Sequence, residues 1–151
     1  MRFQKSEVIY MFEKIKKAFE ASPEHQEITF RVEGAHKYAK QIETLAIPMK
    51  KWDMSNEELA KKYTLKKIYK YYFEKTSAKL IPEKNGYKVM IKNKHVGYVP
   101  QRDIVEIRKI LIHKVDISAE IKGGEYKVVS ANGDAVVMDD RYSIEVTISR
   151  G

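Results

Sequence analysis

Hydrophobic residues recur in two rhythms along this chain. In residues 6–21, SEVIYMFEKIKKAFEA, the side chains of Val8, Ile9, Phe12, Ile15 and Phe19 fall on one stripe, which predicts an amphipathic helix with Ser6 as its cap. SPEHQ breaks the pattern. EITFRVEG then alternates Ile28, Phe30 and Val32 against Thr29, Arg31 and Glu33, which predicts a half-buried strand ending at Gly34. HKYAKQIETLA (36–46) returns to helical spacing. Ser55 with Glu58 three residues later forms a capping box, so a helix is expected to start there. Residues 68–73, IYKYYF, are read as a strand from their β-branched and aromatic content. Leu65, Ile68, Tyr69 and Tyr72 also make a helical stripe, which is the alternative.

From residue 77 the rhythm is that of strands: SAKLIPE, then YKVMIK, then HVGYV, with Asn93-Lys94 supplying the turn between the last two. QRDIVEIRKILIH (101–113) is an apolar-rich helix behind Pro100. VDISAEIK, EYKVVS, AVVM and YSIEVTIS follow as separate strands. Gly123-Gly124 is read as a turn, and Asn132-Gly133 as the strongest hairpin signal in the chain. The pattern is α+β, an antiparallel sheet curled toward a barrel with helices inserted and a helix at the N-terminus. It is not the alternating pattern of a parallel nucleotide-binding sheet.

Composition narrows the class. The chain has no cysteine, which excludes disulfides, thiolate metal sites and a cysteine nucleophile, and it has no apolar run near the ~20 residues of a membrane span. MRFQKSEVIY lacks the apolar core and cleavage site of a signal peptide, so the expectation is a soluble, cytoplasmic protein with no membrane partner. Net charge is +8 and the pI near 9.4, which makes nucleic acid a natural partner. The alternative is that the cations serve solubility, because 23 of the 29 are lysines and only six are arginines.

Catalytic chemistry finds little footing. His25, His36, His95 and His113 include no i, i+4 pair suited to zinc, and are read as solvated surface imidazoles. Asp134 with Asp139-Asp140 reads as a solvated acidic turn rather than a Mg²⁺ site. No phosphate-cradling glycine loop and no nucleophile elbow is present. The expectation is a protein that is not an enzyme and carries no cofactor and no metal.

One stretch combines rings with cations: GYKVMIKNKHVGYVPQRD (86–103). Val89 and Ile91 share one face of this hairpin, and Lys88, Met90 and Lys92 the other. Gly97 signals a bulge or a close backbone approach. With Tyr98 facing outward, it and Lys92 would suit stacked bases and phosphates; with Tyr98 in the core, the lysines would be merely solvated.

Together with ITFRVEG (28–34), AKLIPEKNGYKVMIKNKHVGYVPQRDIVEIRKIL (78–111) and ISAEIKGGEYKVV (117–129), this stretch resembles a HIRAN domain in its bacterial and phage-associated form. The resemblance rests on a Val-x-Gly strand end, an aromatic-basic segment, a Leu-x-x-Glu stretch and Val-Gly-Tyr-Val-Pro before a helix. It spans about 120 residues, discontinuously. It implies a small OB-like β-barrel over residues 26–151 with an insertion at 48–77; the N-terminal helical extension at 1–25 lies outside the resemblance. It also implies that the module grips single-stranded DNA, notably at a free 3′ end. By position, the aromatic-basic segment falls on His36, Lys37 and Tyr38, and the residue after the hairpin glycine on Tyr98. Lys84, Tyr87, Lys92 and Arg102 complete the candidate DNA-binding set.

One departure stands out. Many relatives carry an Asn-Pro-Tyr-Asp-like loop whose Tyr-Asp pair meets the 3′ hydroxyl, whereas Glu83-Lys84-Asn85-Gly86-Tyr87 is shorter and has no aspartate. A protein-interaction module, or a phage or mobile-element regulator that binds a nucleic-acid-processing enzyme, is the competing expectation. It rests on Trp52, Tyr69, Tyr71, Tyr72 and Phe73 in the insertion, which core packing would also explain.

Overall fold

Two long strands carry most of the architecture. In the computed structural model, which describes residues 25–151, β9 (Asp116–Val129) and β10 (Ala135–Arg150) form one antiparallel ladder. The helix read at 6–21 and nearly all of the 1–25 extension lie outside the described residues. Asn132-Gly133 sits in the loop joining the two strands, as its turn chemistry requires, with Ser130 N donating to Asp134 O at 2.8 Å. β1 (Gln26–Arg31) adds to the C-terminal part of β10. On the far side of β9, β5 (Thr76–Ser77) and β3 (Ile68–Tyr69) pair with separate stretches, giving the order β1-β10-β9-β3.

A second sheet is a meander of β6 (Lys79–Glu83), β7 (Gly86–Ile91) and β8 (Lys94–Tyr98). Pro82 is accommodated because β6 is an edge strand. β2 (Ile47–Pro48) and β4 (Tyr71–Tyr72) make a two-residue ladder of their own. The strand reading of 68–73 therefore holds, but as two short strands in different sheets. The turn between β7 and β8 is Lys92-Asn93, both left-handed, and not Asn93-Lys94; Lys94 is already paired with Ile91.

Three short helices fill the gaps. A 3-10 turn (Ala35–Tyr38) leads into α1 (Ala39–Glu43), and α2 (Asn56–Lys62) begins where Glu58 N donates to Ser55 Oγ at 3.1 Å. After a 3-10 turn at Gln101–Asp103, α3 (Ile104–Ile110) buries Ile104, Ile107 and Ile110. The helix stops short of the expected residue 113, leaving Ile112 79% exposed. No helix among the described residues is long and apolar enough to cross a membrane.

The α3 isoleucines meet Phe30 and Val32, Val89, Ile91 and Val96, and Ile144, Val146 and Ile148 in a single buried cluster between the sheets. Each such side chain contributes about 1.5–3 kcal/mol on leaving water. A smaller cluster joins Leu59, Ala60 and Ile68 to Val129, so the 48–77 segment is packed onto β9.

The expected α+β class and antiparallel pairing are present; a closed barrel is not found among the described strands. The first sheet ends at β3, and β8 reaches the chain just past β1 only through an isolated bridge between Glu33 and Tyr98.

Gly123-Gly124 is not a turn, because β9 runs straight through it. Opposite the pair, β10 bulges between Asp140 and Ser143. A Cβ on Gly123 would lie 2.5 Å from Arg141 O, and one on Gly124 would lie 2.8 Å from the Tyr142 ring. The glycines let the bulge and the buried Tyr142 close against β9, so AVVM and YSIEVTIS merge into one strand.

Candidate nucleic-acid interface

The site grows from the end of β1. Val32 N donates to Ile144 O, and Glu33 and Tyr98 then exchange backbone bonds of 2.7 and 3.0 Å, locking the β1 exit to β8. That approach leaves no room at Gly97, where a Cβ would sit 2.6 Å from Glu33 O and collide with Val32 Cγ1. The close approach read from Gly97 is thus met, and the register shift between Val89 and Met90 is the accompanying bulge. Gly34, at φ +77°, reverses the chain, and Lys37 N closes onto Gly34 O at 2.9 Å. The turn carries Lys37 and Tyr38 back toward Tyr98.

The opposite wall is the β6–β7 hairpin. Gln101 Nε2 donates to Asn85 O at 3.0 Å, and Val99 N to Tyr87 O at 3.0 Å, tying the hairpin to the start of the 3-10 turn before α3. Gly86 packs against Ile104, whose Cδ1 would lie 2.8 Å from an added Cβ. Between the walls is a cleft of about 750 Å³.

Lys37, Tyr38, Lys84, Tyr87 and Tyr98 all line it, so five of the eight expected residues converge from three separate segments. The other three stand apart. His36 is exposed on the 3-10 turn and does not line the cleft. Lys92 borders a different, narrow crevice with Phe73 and Ile121. Arg102 borders an adjoining groove with Arg31, and its Nε lies 3.9 Å from Asp103. That groove and the cleft share Glu33 and Gln101.

The rings of the cleft form a cluster. Tyr38 and Tyr98 have centroids 6.4 Å apart, close to edge-on. His95 lies 4.4 Å from Tyr38 and 4.8 Å from Tyr98. His95 is therefore half-buried behind the tyrosines, its Nε2 3.0 Å from Gly97 O, and is not the solvated imidazole expected. The signal was its place on β8, obscured by the bulge that shifts the alternation there. The neighbouring Tyr98 hydroxyl, then partial burial and the negative charge of Glu83, push the Tyr38 phenol above its ordinary range. Tyr98 is 40% exposed, which leaves ring surface open to solvent and excludes the alternative in which it belongs to the core.

Charge in the cleft is balanced. Glu33 and Glu83 line it alongside Lys37 and Lys84, so the local balance differs from that of the strongly basic chain. Elsewhere, the acidic residues read as a turn lie partly in strand. Asp140, on β10, accepts from Tyr69 Oη at 2.5 Å and Lys67 Nζ at 3.1 Å, and these partners hold its carboxyl below the usual range. The insertion aromatics are largely packed: Phe73 meets Tyr142 edge-on at 5.8 Å, and Tyr69 lies 5.4 Å from Tyr126. Trp52 is half-buried with the Lys127 ammonium 4.6 Å from its ring centre. Only Tyr72 among the five is exposed.

No family model matches this sequence, and no curated protein or solved structure matches it.

Proposed function

We propose that the chain is a non-enzymatic, HIRAN-like module of OB-related design that binds single-stranded DNA or DNA ends in the cytoplasm. The observation that carries this reading is the convergence of Tyr38, Tyr87 and Tyr98 with Lys37 and Lys84 in one cleft. Rings on which bases stack, flanked by ammonium groups for phosphate, are the chemistry of single-strand binding. The Glu83-to-Gly86 connection is a tight two-residue turn, shorter than the Asn-Pro-Tyr-Asp-like loop that many HIRAN domains carry there. Fluorescence anisotropy with labelled single-stranded DNA, with free and blocked 3′ ends at low and moderate salt, tests the proposal. Tighter binding to the free end means end capture; equal, salt-sensitive binding means a general stacking surface. No binding at low salt overturns the reading.

A second reading, a protein-interaction module, is favoured by one feature. Val136, Val137 and Met138 are exposed on β10, where the outer edge has no strand partner among the described residues. Such an edge accepts a strand from another chain. A stoichiometric protein partner that survives nuclease treatment and is lost in Val137→Lys supports this reading.

A further inference from the structure

The tyrosine cleft contains two groups that repel DNA phosphates. Glu33 and Glu83 both line it, and among the described residues neither carboxylate has an ion-pair or side-chain hydrogen-bond partner. Their backbones are well held. Glu33 exchanges hydrogen bonds with Tyr98, and Glu83 closes the β6–β7 hairpin opposite Gly86. Both carboxylates thus line the same cleft as the rings proposed to stack a base: Glu33 is the backbone partner of Tyr98, and the charge of Glu83 contributes to raising the Tyr38 phenol.

An ionised carboxylate is an acceptor only. It cannot help to hold a phosphate, but it can accept from an N–H on the edge of a stacked base. Lys37 and Lys84 are suited to the phosphates, which leaves the carboxylates available to base edges. Cytosine presents its N4 amine to such an acceptor, whereas thymine presents the O4 oxygen at the same position, so that two lone-pair-bearing oxygens face each other.

We infer that Glu33 and Glu83 make this cleft selective for bases bearing an exocyclic amine, with cytosine preferred over thymine. The inference rests on the nucleic-acid reading above. It goes beyond it, because a stacking surface alone tolerates every base. Two pyrimidines make the cleanest comparison, since their ring sizes match and their difference is the exocyclic group.

The test is anisotropy with 5′-labelled oligo(dC) and oligo(dT) of equal length, at mildly alkaline pH, where oligo(dC) remains unstructured. The expected result for the wild type is about fivefold or tighter binding of oligo(dC), the range one good base-edge contact supplies. In Glu33→Gln/Glu83→Gln the ratio should fall to about one. The glutamine amide accepts from cytosine and also donates to thymine O4, and loss of two negative charges should tighten binding of oligo(dT). Both positions are exposed, so the variant is expected to keep its fold, which circular dichroism checks. Equal affinities in the wild type, or an unchanged ratio in the variant, overturn the selectivity. Failure of the wild type to bind either strand overturns the nucleic-acid reading along with it.

Discussion

Replacing Gly97 with alanine should unhinge both the fold and the cleft. The residue has φ +143°, a conformation costing an L-residue on the order of 1–3 kcal/mol. The new methyl would also lie 2.6 Å from Glu33 O and 3.5 Å from Ala35 N, and would overlap Val32 Cγ1. Two of these neighbours are backbone and the third is in the core, so none yields as a flexible side-chain tip would. Overpacking of this kind adds about 1–3 kcal/mol. A total of about 4 kcal/mol, the middle of the summed range, corresponds to a Tm lower by about 8–16 °C for a chain of 151 residues. Gly34→Ala is the internal comparison. Its φ is +77°, but nothing lies within 4 Å of the added Cβ, so it carries only a left-handed backbone term of about 1–2 kcal/mol. Thermal and urea unfolding of both variants, followed by circular dichroism, decide the matter. Because the Glu33–Tyr98 bridge is the contact being forced apart, Gly97→Ala should also lose cleft binding at temperatures where it is still folded. The reasoning fails if Gly97→Ala is as stable as Gly34→Ala, or if it is destabilised with DNA binding intact.

Tyr38→Ala with Tyr98→Ala should weaken single-stranded DNA binding by about 1–3 kcal/mol per lost stack while the protein stays folded; unchanged anisotropy in a folded double variant removes these rings from the site. Lys37→Ala with Lys84→Ala should make the slope of log affinity against log salt shallower by about 1.4, and a slope that does not change assigns the phosphates to other lysines. Asp140→Asn should lower Tm at neutral pH, because Tyr69 and Lys67 hold the native carboxyl below its ordinary range. The sign follows from linkage: a lowered native pKa contributes stability above the unfolded carboxylate value of about 3.9, and that contribution is lost as pH falls through the native value. The Tm gap between wild type and Asp140→Asn should therefore close in strong acid, and a gap that is constant with pH refutes the assignment.

Much of the fold was legible from local pattern. Alternation located the strands in 26–31, 79–98 and 142–149, the Asn132-Gly133 turn, and the helix start at Ser55, since each depends on residues a few positions apart. The errors share one cause. Gly123-Gly124 reads as a turn when only its neighbours are considered, and becomes a continuous strand because Tyr142 and Arg141 close over it from β10. His95 reads as solvated because the bulge in β8 breaks the alternation that would have shown its half-buried position. Lys92 looked like part of a binding surface because it shares a hairpin with Tyr98, yet the turn carries it to a different crevice.

Sequence by itself determined the α+β class, the antiparallel pairing and the residue types available for binding. Hydrophobic period and turn chemistry are properties of short stretches, and they survive without knowledge of what lies across the fold. Tertiary structure decided which of those residues meet. The Glu33–Tyr98 bridge and the β6–β7 hairpin bring Lys37, Tyr38, Lys84, Tyr87 and Tyr98 into one cleft, and the same contacts bring in Glu33 and Glu83. These residues are as much as 65 positions apart, so no periodicity along the chain could have shown that two carboxylates would share a cleft with the tyrosines of a basic protein.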